Sequence, residues 1–330
     1  MKKVSVILPT YNVAQYLERC VNALVSQTYE EVEFLFVNDG SPDNCLEILV
    51  EYSNKYPQID VVSKKNGGAA DSRNFGLQHI TGEYVMFADP DDWLENTAIA
   101  DLVAILEQND ADVAIGRYTR NYEQKQSIIE KFYSFQRELK ISETGNTLRE
   151  NPAILIDIYQ APWGKIYKRE IFNDEEVRFP VGCSCEDRIF TLNFLHKFGK
   201  MVFLDKSIYN YAVRPGSAMT AKDRQVFEMF EIMDMVLNYY RKNGIFDQFR
   251  DELEFLYIQY VLIGVSHRVL TSENIDSKEG IAAVLTICNE RFPGYVHNRY
   301  LKKEPLFVRT FVKNISKRPN MMIRLTKPFV

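Results

Sequence analysis

Three carboxylates stand within four residues at Asp89-Pro90-Asp91-Asp92, directly after the fully apolar run Tyr84-Val85-Met86-Phe87-Ala88. Carboxylates this close repel one another unless a cation or solvent offsets the charge, and a hard divalent ion is the natural counter-charge. Mg²⁺ or Mn²⁺ takes few protein carboxylates together with phosphate oxygens and waters, so the cluster suits stabilisation of a departing diphosphate. The competing role is an acidic helix start favoured by the helix dipole. The apolar run before it reads as a buried strand and favours the metal.

Polar groups recur at the same place after other strand-like runs. Val4–Leu8 ends in Pro9-Thr10-Tyr11-Asn12, Glu33–Val37 in Asn38-Asp39-Gly40-Ser41, and Ile59–Val62 in Lys65-Asn66-Gly67-Gly68. In an open α/β sheet ligands bind beyond the carboxyl ends of the strands, where these groups would gather. Tyr11 offers a ring to stack on a base, and Asp39 an acceptor for a base N–H. Surface packing for Tyr11 and turn formation for Asp39 are the alternatives. No Gly-x-Gly-x-x-Gly follows the first run and no Gly-Lys-Ser/Thr loop occurs, which argues against a dinucleotide dehydrogenase and a P-loop kinase. The Cys183/Cys185 pair has no second pair to complete a four-ligand zinc site, so the five cysteines read as reduced thiols.

The elements that must position these groups alternate. Between the strand-like runs lie helical patterns at Tyr16–Leu24, Cys45–Tyr52, Ala70–Ile80 and Ile99–Leu106, and a further strand follows at Val113–Gly116. This alternation predicts a parallel sheet covered on both faces. Residues 119–150 are charged and without period, as expected of a loop or a helical excursion over the site. Beyond Thr220 the helical patterns Val226–Tyr240, Phe249–Leu270 and Ile281–Glu290 predict a small bundle. The expected organisation is therefore a sheet-bearing domain over 1–220, divided near residue 118 into 1–118 and 119–220, and a helical region over 221–330.

A net charge of -5 argues against a nucleic-acid partner. From Lys302 onward, however, eight cations face the single acid Glu304 and are interleaved with apolar residues. Such a tail suits the surface of an anionic leaflet, or else packs on its own domain. No run approaches the roughly 20 apolar residues of a membrane span, and Val4–Leu8 is too short for a secretory core. The expected location is cytoplasmic, peripheral at the inner face of the cell membrane if the tail docks there.

The blocks Val4-Ser5-Val6-Ile7-Leu8-Pro9-Thr10-Tyr11-Asn12, Phe36-Val37-Asn38-Asp39-Gly40-Ser41, Asn66-Gly67-Gly68 with Ser72-Arg73-Asn74-Phe75-Gly76-Leu77, and Phe87-Ala88-Asp89-Pro90-Asp91-Asp92 resemble the successive signatures of family-two glycosyltransferases with the GT-A fold. A second set, Trp163-Gly164-Lys165-Ile166-Tyr167-Lys168-Arg169 and Glu186-Asp187-Arg188-Ile189-Phe190, is similar to acceptor-side blocks of bacterial members that build capsules, exopolysaccharides or teichoic-acid decorations. Asp71 and Pro90 depart from the small or small polar residues usual at their positions.

The resemblance implies that Pro9, Tyr11 and Asp39 hold the uracil end of a UDP-sugar, with Arg73 near the nucleotide or its phosphates. Asp91 then lies toward the ribose or sugar, Asp92 binds the metal with Asp89 beside it, and Asp187 is the catalytic base, with Glu186 the second candidate. An ion pair to Arg188 or Lys197 is the competing role for Asp187. Tyr211-Ala212-Val213-Arg214-Pro215-Gly216-Ser217 resembles a segment that closes over the diphosphate, with Arg214 available for bidentate phosphate contact, or is a plain surface loop. The implied activity is inverting, metal-dependent transfer of a hexose from a UDP-sugar to a hydroxyl of a bacterial surface glycan or its lipid-linked precursor. Two rivals remain. A sugar-phosphate nucleotidyltransferase would want a glycine-rich basic loop after the first strand, and a non-catalytic binding module would have lost Asp92 or Asp187, both of which are present.

Overall fold

The structure is a computed structural model, which describes residues 1–122, 125–130, 145–213, 226–272, 274–315, 317, 318 and 321. In chain order its strands are β1 (Val4–Thr10), β2 (Val32–Asn38), β3 (Ile59–Ser63), β4 (Tyr84–Phe87), β5 (Trp93–Leu94), β6 (Val113–Tyr122), β7 (Lys125–Glu130), β8 (Lys165–Lys168) and β9 (Met201–Val213). The helices are α1 (Ala14–Val25), α2 (Cys45–Lys55), α3 (Ala69–Leu77), α4 (Ala98–Gln108), α5 (Ile154–Asp157), α6 (Glu186–Phe194), α7 (Glu228–Lys242), α8 (Arg250–Tyr257), α9 (Ser266–Thr271), α10 (Ser277–Arg291) and α11 (Leu306–Ile315). The chain forms two compact units, one from Met1–Phe132, Glu138–Asn151 and Ile158–Arg214, the other from Tyr133–Arg137, Pro152–Asp157 and Pro215–Val330.

The first unit holds one sheet in the order β3-β2-β1-β4-β8-β6-β9-β5, with β7 paired to β6. Strands β1 to β4 run parallel, and every residue of β4 is buried, because helices cover both faces and the strands read as unbroken apolar runs. On α1 the buried residues Leu17, Cys20, Val21 and Leu24 recur at i, i+3, i+4 and i+7, the spacing that gives a helix one apolar face. A Cβ on Gly76 of α3 would meet Ile7 Cγ2 of β1 at 2.5 Å, so only glycine allows that helix to lie so close to the strand.

The sheet is not wholly parallel, which corrects the expectation. β8 runs antiparallel between β4 and β6, and β5 pairs antiparallel with β9. An apolar run reports burial on both faces but carries no direction, so the reversal could not be read from composition. Of the charged stretch 119–150, the residues 119–122 and 125–130 form strand in place of the expected loop or helix, and 123, 124 and 131–144 lie outside the described residues. β6 continues to Tyr122, pairs parallel with β9, and β7 returns along it. The outer half of β6 is only partly buried, which explains its polar, aperiodic sequence.

The second unit is helical. On α7, Met229, Ile232, Met233, Val236, Leu237 and Tyr240 are buried on one stripe. The expected helix over Phe249–Leu270 is formed by α8, the π-helical turns Ile258–Val265 and α9 in succession. Asp276 caps α10 by accepting from the Lys278 and Glu279 amides, and Arg291 at its other end pairs with Asp234 at 2.7 Å. No helix among the described residues is long and apolar enough to cross a membrane.

Candidate active site

The acidic cluster forms a tight turn at the end of β4. The Asp92 amide donates to the Asp89 carbonyl at 3.0 Å, and Pro90 takes the second turn position, where its fixed φ is favoured. Carboxylate oxygens of Asp89, Asp91 and Asp92 all lie within 4.8 Å of one another. Asp92 faces inward at 1% exposure: its Oδ2 accepts from the Tyr209 hydroxyl at 2.7 Å and its Oδ1 from the Ala212 amide at 2.8 Å. The same Tyr209 hydroxyl accepts from the Asp89 amide at 3.0 Å, so β9 clamps the turn at both ends. Burial, then repulsion from Asp91 and Asp89, pushes the Asp92 carboxyl well above the usual range. Asp91 is partly exposed, and its carbonyl accepts from Arg19, whose guanidinium lies 4.0 Å from the Trp93 ring centre.

Arg73 on α3 is 2% exposed and joins this turn to α6. Its Nη2 lies 3.0 Å from Asp89, while Nη1 lies 2.6 Å from Asp187 and 3.2 Å from Glu186. Both amino groups of a residue expected near the phosphates are thus committed to carboxylates. Asp187 and Glu186 occupy the first turn of α6, presented by Cys185 in the left-handed region with φ 54. Loss of solvent pushes the Asp187 carboxyl up to about 7; Arg73 opposes this, Glu186 and Asp89 add to it, and Lys165 opposes it. The partner of Asp187 is Arg73, whereas Arg188 donates to Gln160 and Lys197 pairs with Asp174 and Glu176.

Asp39 is buried and holds the neighbouring motif together. Its Oδ1 accepts from Lys64 Nζ at 2.5 Å and the Gly67 amide at 2.9 Å, and its Oδ2 from the Gly68 amide at 2.7 Å. Gly68, with φ +88 at the start of α3, takes a conformation that L side chains rarely adopt. The turn-forming role of Asp39 is therefore filled. Tyr11 is 49% exposed just beyond β1, and Pro9 is partly exposed within it. The next residue, Asn12, donates from its amide to Ser41 Oγ at 2.7 Å and so joins the exits of β1 and β2. Arg214 lies outside the described residues.

Two side chains that sequence reasoning left without a role stand beside these groups. Tyr209 is the clamp just described, and its ring stacks on Trp163 at 4.5 Å with Tyr211 on the same indole at 5.6 Å. Lys165, fully buried, donates to the carbonyls of Tyr159 and Ala161 and lies 3.4 Å from the Tyr159 ring centre. Burial holds its ammonium well below the usual lysine range. The signals were available as Tyr209-Asn210-Tyr211 and Trp163-Gly164-Lys165, but nothing local ties a tyrosine to an aspartate 117 residues away.

A mixed α/β sheet with a carboxylate trio at the end of β4, joined through Arg73 to an acidic pair on α6, is the arrangement of a nucleotide-sugar transferase of the GT-A type. Residues 5–174 match Glycosyl transferase family 2, and the chain belongs to that family. GlyG of Streptococcus pneumoniae is 32% identical over 71% of this chain and 81% of its own length. GlyA of the same species is 34% identical over 65% of this chain, which spans only 31% of GlyA. Among solved structures, Staphylococcus aureus TarS 1-349 in complex with UDP-GlcNAc superimposes with a TM-score of 0.71, covering 96% of this chain and 92% of that one at 22% identity. That likeness is one of fold.

Proposed function

We propose that the chain transfers a hexose from a UDP-sugar to a hydroxyl of a bacterial surface glycan or its lipid-linked precursor, with inversion at the anomeric carbon. The observation that carries this reading is the Arg73 guanidinium, which lies between Asp187 on α6 and Asp89 on the acidic turn. A single in-line displacement needs a base on the acceptor side and charge neutralisation on the leaving-group side, held a short distance apart. Asp187, with its carboxyl poised near neutrality, takes the acceptor proton. Glu186 is the second candidate for that role.

The acidic turn fits a divalent cation, Mn²⁺ or Mg²⁺: its three carboxylates converge, with their oxygens within 4.8 Å of one another. Asp89 and Asp92 would hold it, with Asp91 toward the ribose or sugar, and when bound it supplies charge neutralisation for the diphosphate. Pro9, Tyr11 and Asp39 would border the uracil site. Arg214 contacts the diphosphate. The organisation we propose is a catalytic domain over 1–220, divided at about residue 118, followed by a helical region, and the place of action is the cytoplasmic face of the membrane.

The relatives favour the donor and acceptor classes. TarS of Staphylococcus aureus, a poly(ribitol-phosphate) beta-N-acetylglucosaminyltransferase, is 28% identical over 72% of this chain, and its structures carry UDP and UDP-GlcNAc. The test is incubation of the purified chain with a panel of UDP-sugars and Mn²⁺. Slow release of UDP from one sugar supports the reading; release from none, with UDP still bound, points to a binding module.

A further inference from the structure

Helix α11 packs with one face and leaves the other bare. Val308, Phe311, Val312 and Ile315, at i, i+3, i+4 and i+7, are buried. Leu306, Thr310 and Lys313, at i, i+4 and i+7 of the opposite stripe, are exposed. Leu306 and the adjacent Phe307 are 74% and 75% exposed, more than any other large apolar side chain among the described residues except Met1. A lone exposed leucine is ordinary, but an adjacent apolar pair at three-quarters exposure is not. Exposed cations flank the pair along the chain, Lys302 and Lys303 before it and Lys313, Lys317 and Arg318 after it. Glu304, the one acid after Lys302, is only 4% exposed and presents little charge outward.

We propose that this face docks on an anionic lipid leaflet, with Leu306 and Phe307 entering the boundary between headgroups and acyl chains and the five cations meeting lipid phosphates. Charge complementarity selects that occupant. The chain as a whole carries -5 and is repelled by an anionic surface, so a local cationic face both attracts it and fixes which side turns to the lipid. The apolar pair supplies what charge alone does not, a depth of insertion. The argument rests on the glycosyltransferase reading only for why a membrane is nearby, since a lipid-linked acceptor would be found there.

The experiment uses the full chain and vesicles of phosphatidylcholine with or without phosphatidylglycerol. Binding is expected only to the anionic vesicles and falls as salt rises. The double variant Leu306→Ser/Phe307→Ser should lose roughly 10²-fold in partitioning, and Lys302→Gln/Lys303→Gln/Lys313→Gln should bind only weakly even at low salt. Phe307→Trp should gain fluorescence that bromine-labelled acyl chains quench, above any quenching of the unsubstituted chain. Release of UDP from the donor sugar reports folding and should be unchanged in every variant. Vesicle binding that ignores lipid charge, or that survives the double substitution, overturns the proposal. So does a dimer in sedimentation that the double variant dissolves while no vesicle binding is seen, because the face then joins two copies of the chain. Vesicle binding without UDP release from any donor leaves docking standing and removes the catalytic reading.

Discussion

Nη1 of Arg73 lies 2.6 Å from Asp187, and the other amino group of the same guanidinium lies 3.0 Å from Asp89. One buried side chain therefore fixes the spacing between Asp187 and the acidic turn. Lysine has a point charge in place of the planar fork and cannot span both partners. Arg73→Lys should lower kcat at least about 10²-fold, the scale expected when reacting groups are displaced by an ångström or so. Arg73→Met should in addition cost on the order of 2 kcal/mol in a denaturant titration, below the figure for a fully buried pair because its carboxylate partners are partly solvated.

With Asp187 as the proposed base, its pKa of about 7 predicts a pH dependence for catalysis. A general base works only when ionised, so kcat/KM measured at saturating metal should rise with pH and level off above that value. Asp187→Asn should remove that limb and lower kcat by about 10²–10⁴-fold while UDP-sugar binding by calorimetry is nearly unchanged. Should Glu186→Gln lose turnover and Asp187→Asn keep it, the base is Glu186.

Tyr209 offers a separate handle on the acidic turn. Tyr209→Phe keeps the stack on Trp163 but removes the hydroxyl that serves Asp92 and the Asp89 amide. An unpaired buried carboxylate oxygen should cost about 1–3 kcal/mol in thermal unfolding without metal. The Mn²⁺ concentration for half-maximal activity should rise, and direct Mn²⁺ titration by electron paramagnetic resonance should show the same shift. An unaltered metal titration would detach Tyr209 from the metal site.

Asp92→Asn should preserve the fold, since the amide oxygen can still accept one of the two hydrogen bonds its carboxylate now receives. Transfer should nevertheless fall by orders of magnitude and donor binding should weaken, and EDTA should reproduce both effects in the unsubstituted chain. Full activity in EDTA would remove the cation from the proposal.

Gly76→Ala tests the packing of α3, the helix that carries Arg73. The new methyl would come within 2.5 Å of Ile7 Cγ2, so helix or strand must shift. The expected loss is about 1–3 kcal/mol, read from the denaturant midpoint. A larger fall in kcat than in stability would show that the shift reaches the Arg73 guanidinium.

The sequence by itself determined the elements and where polar groups leave them. Apolar runs such as Tyr84-Val85-Met86-Phe87-Ala88 announce buried strands, and the Asp89–Asp92 cluster and Asp39-Gly40-Ser41 follow such runs directly, so their place at strand ends is a local property. Their pattern was also enough to suggest the family. Only the tertiary structure decided direction and pairing. Lys165–Lys168 gives no sign that it runs antiparallel, and the polar outer half of β6 hides a strand because it is only partly buried. The partners of Arg73 are further still from legibility: Asp187 lies 114 residues away, and the contact exists because α3 and α6 deliver their side chains to one place. The inward turn of Asp92 onto Tyr209 and the raised pKa of Asp187 have the same origin. Solvent exclusion and ionic pairing depend on distances between residues remote in the chain, and a linear pattern holds no such distances.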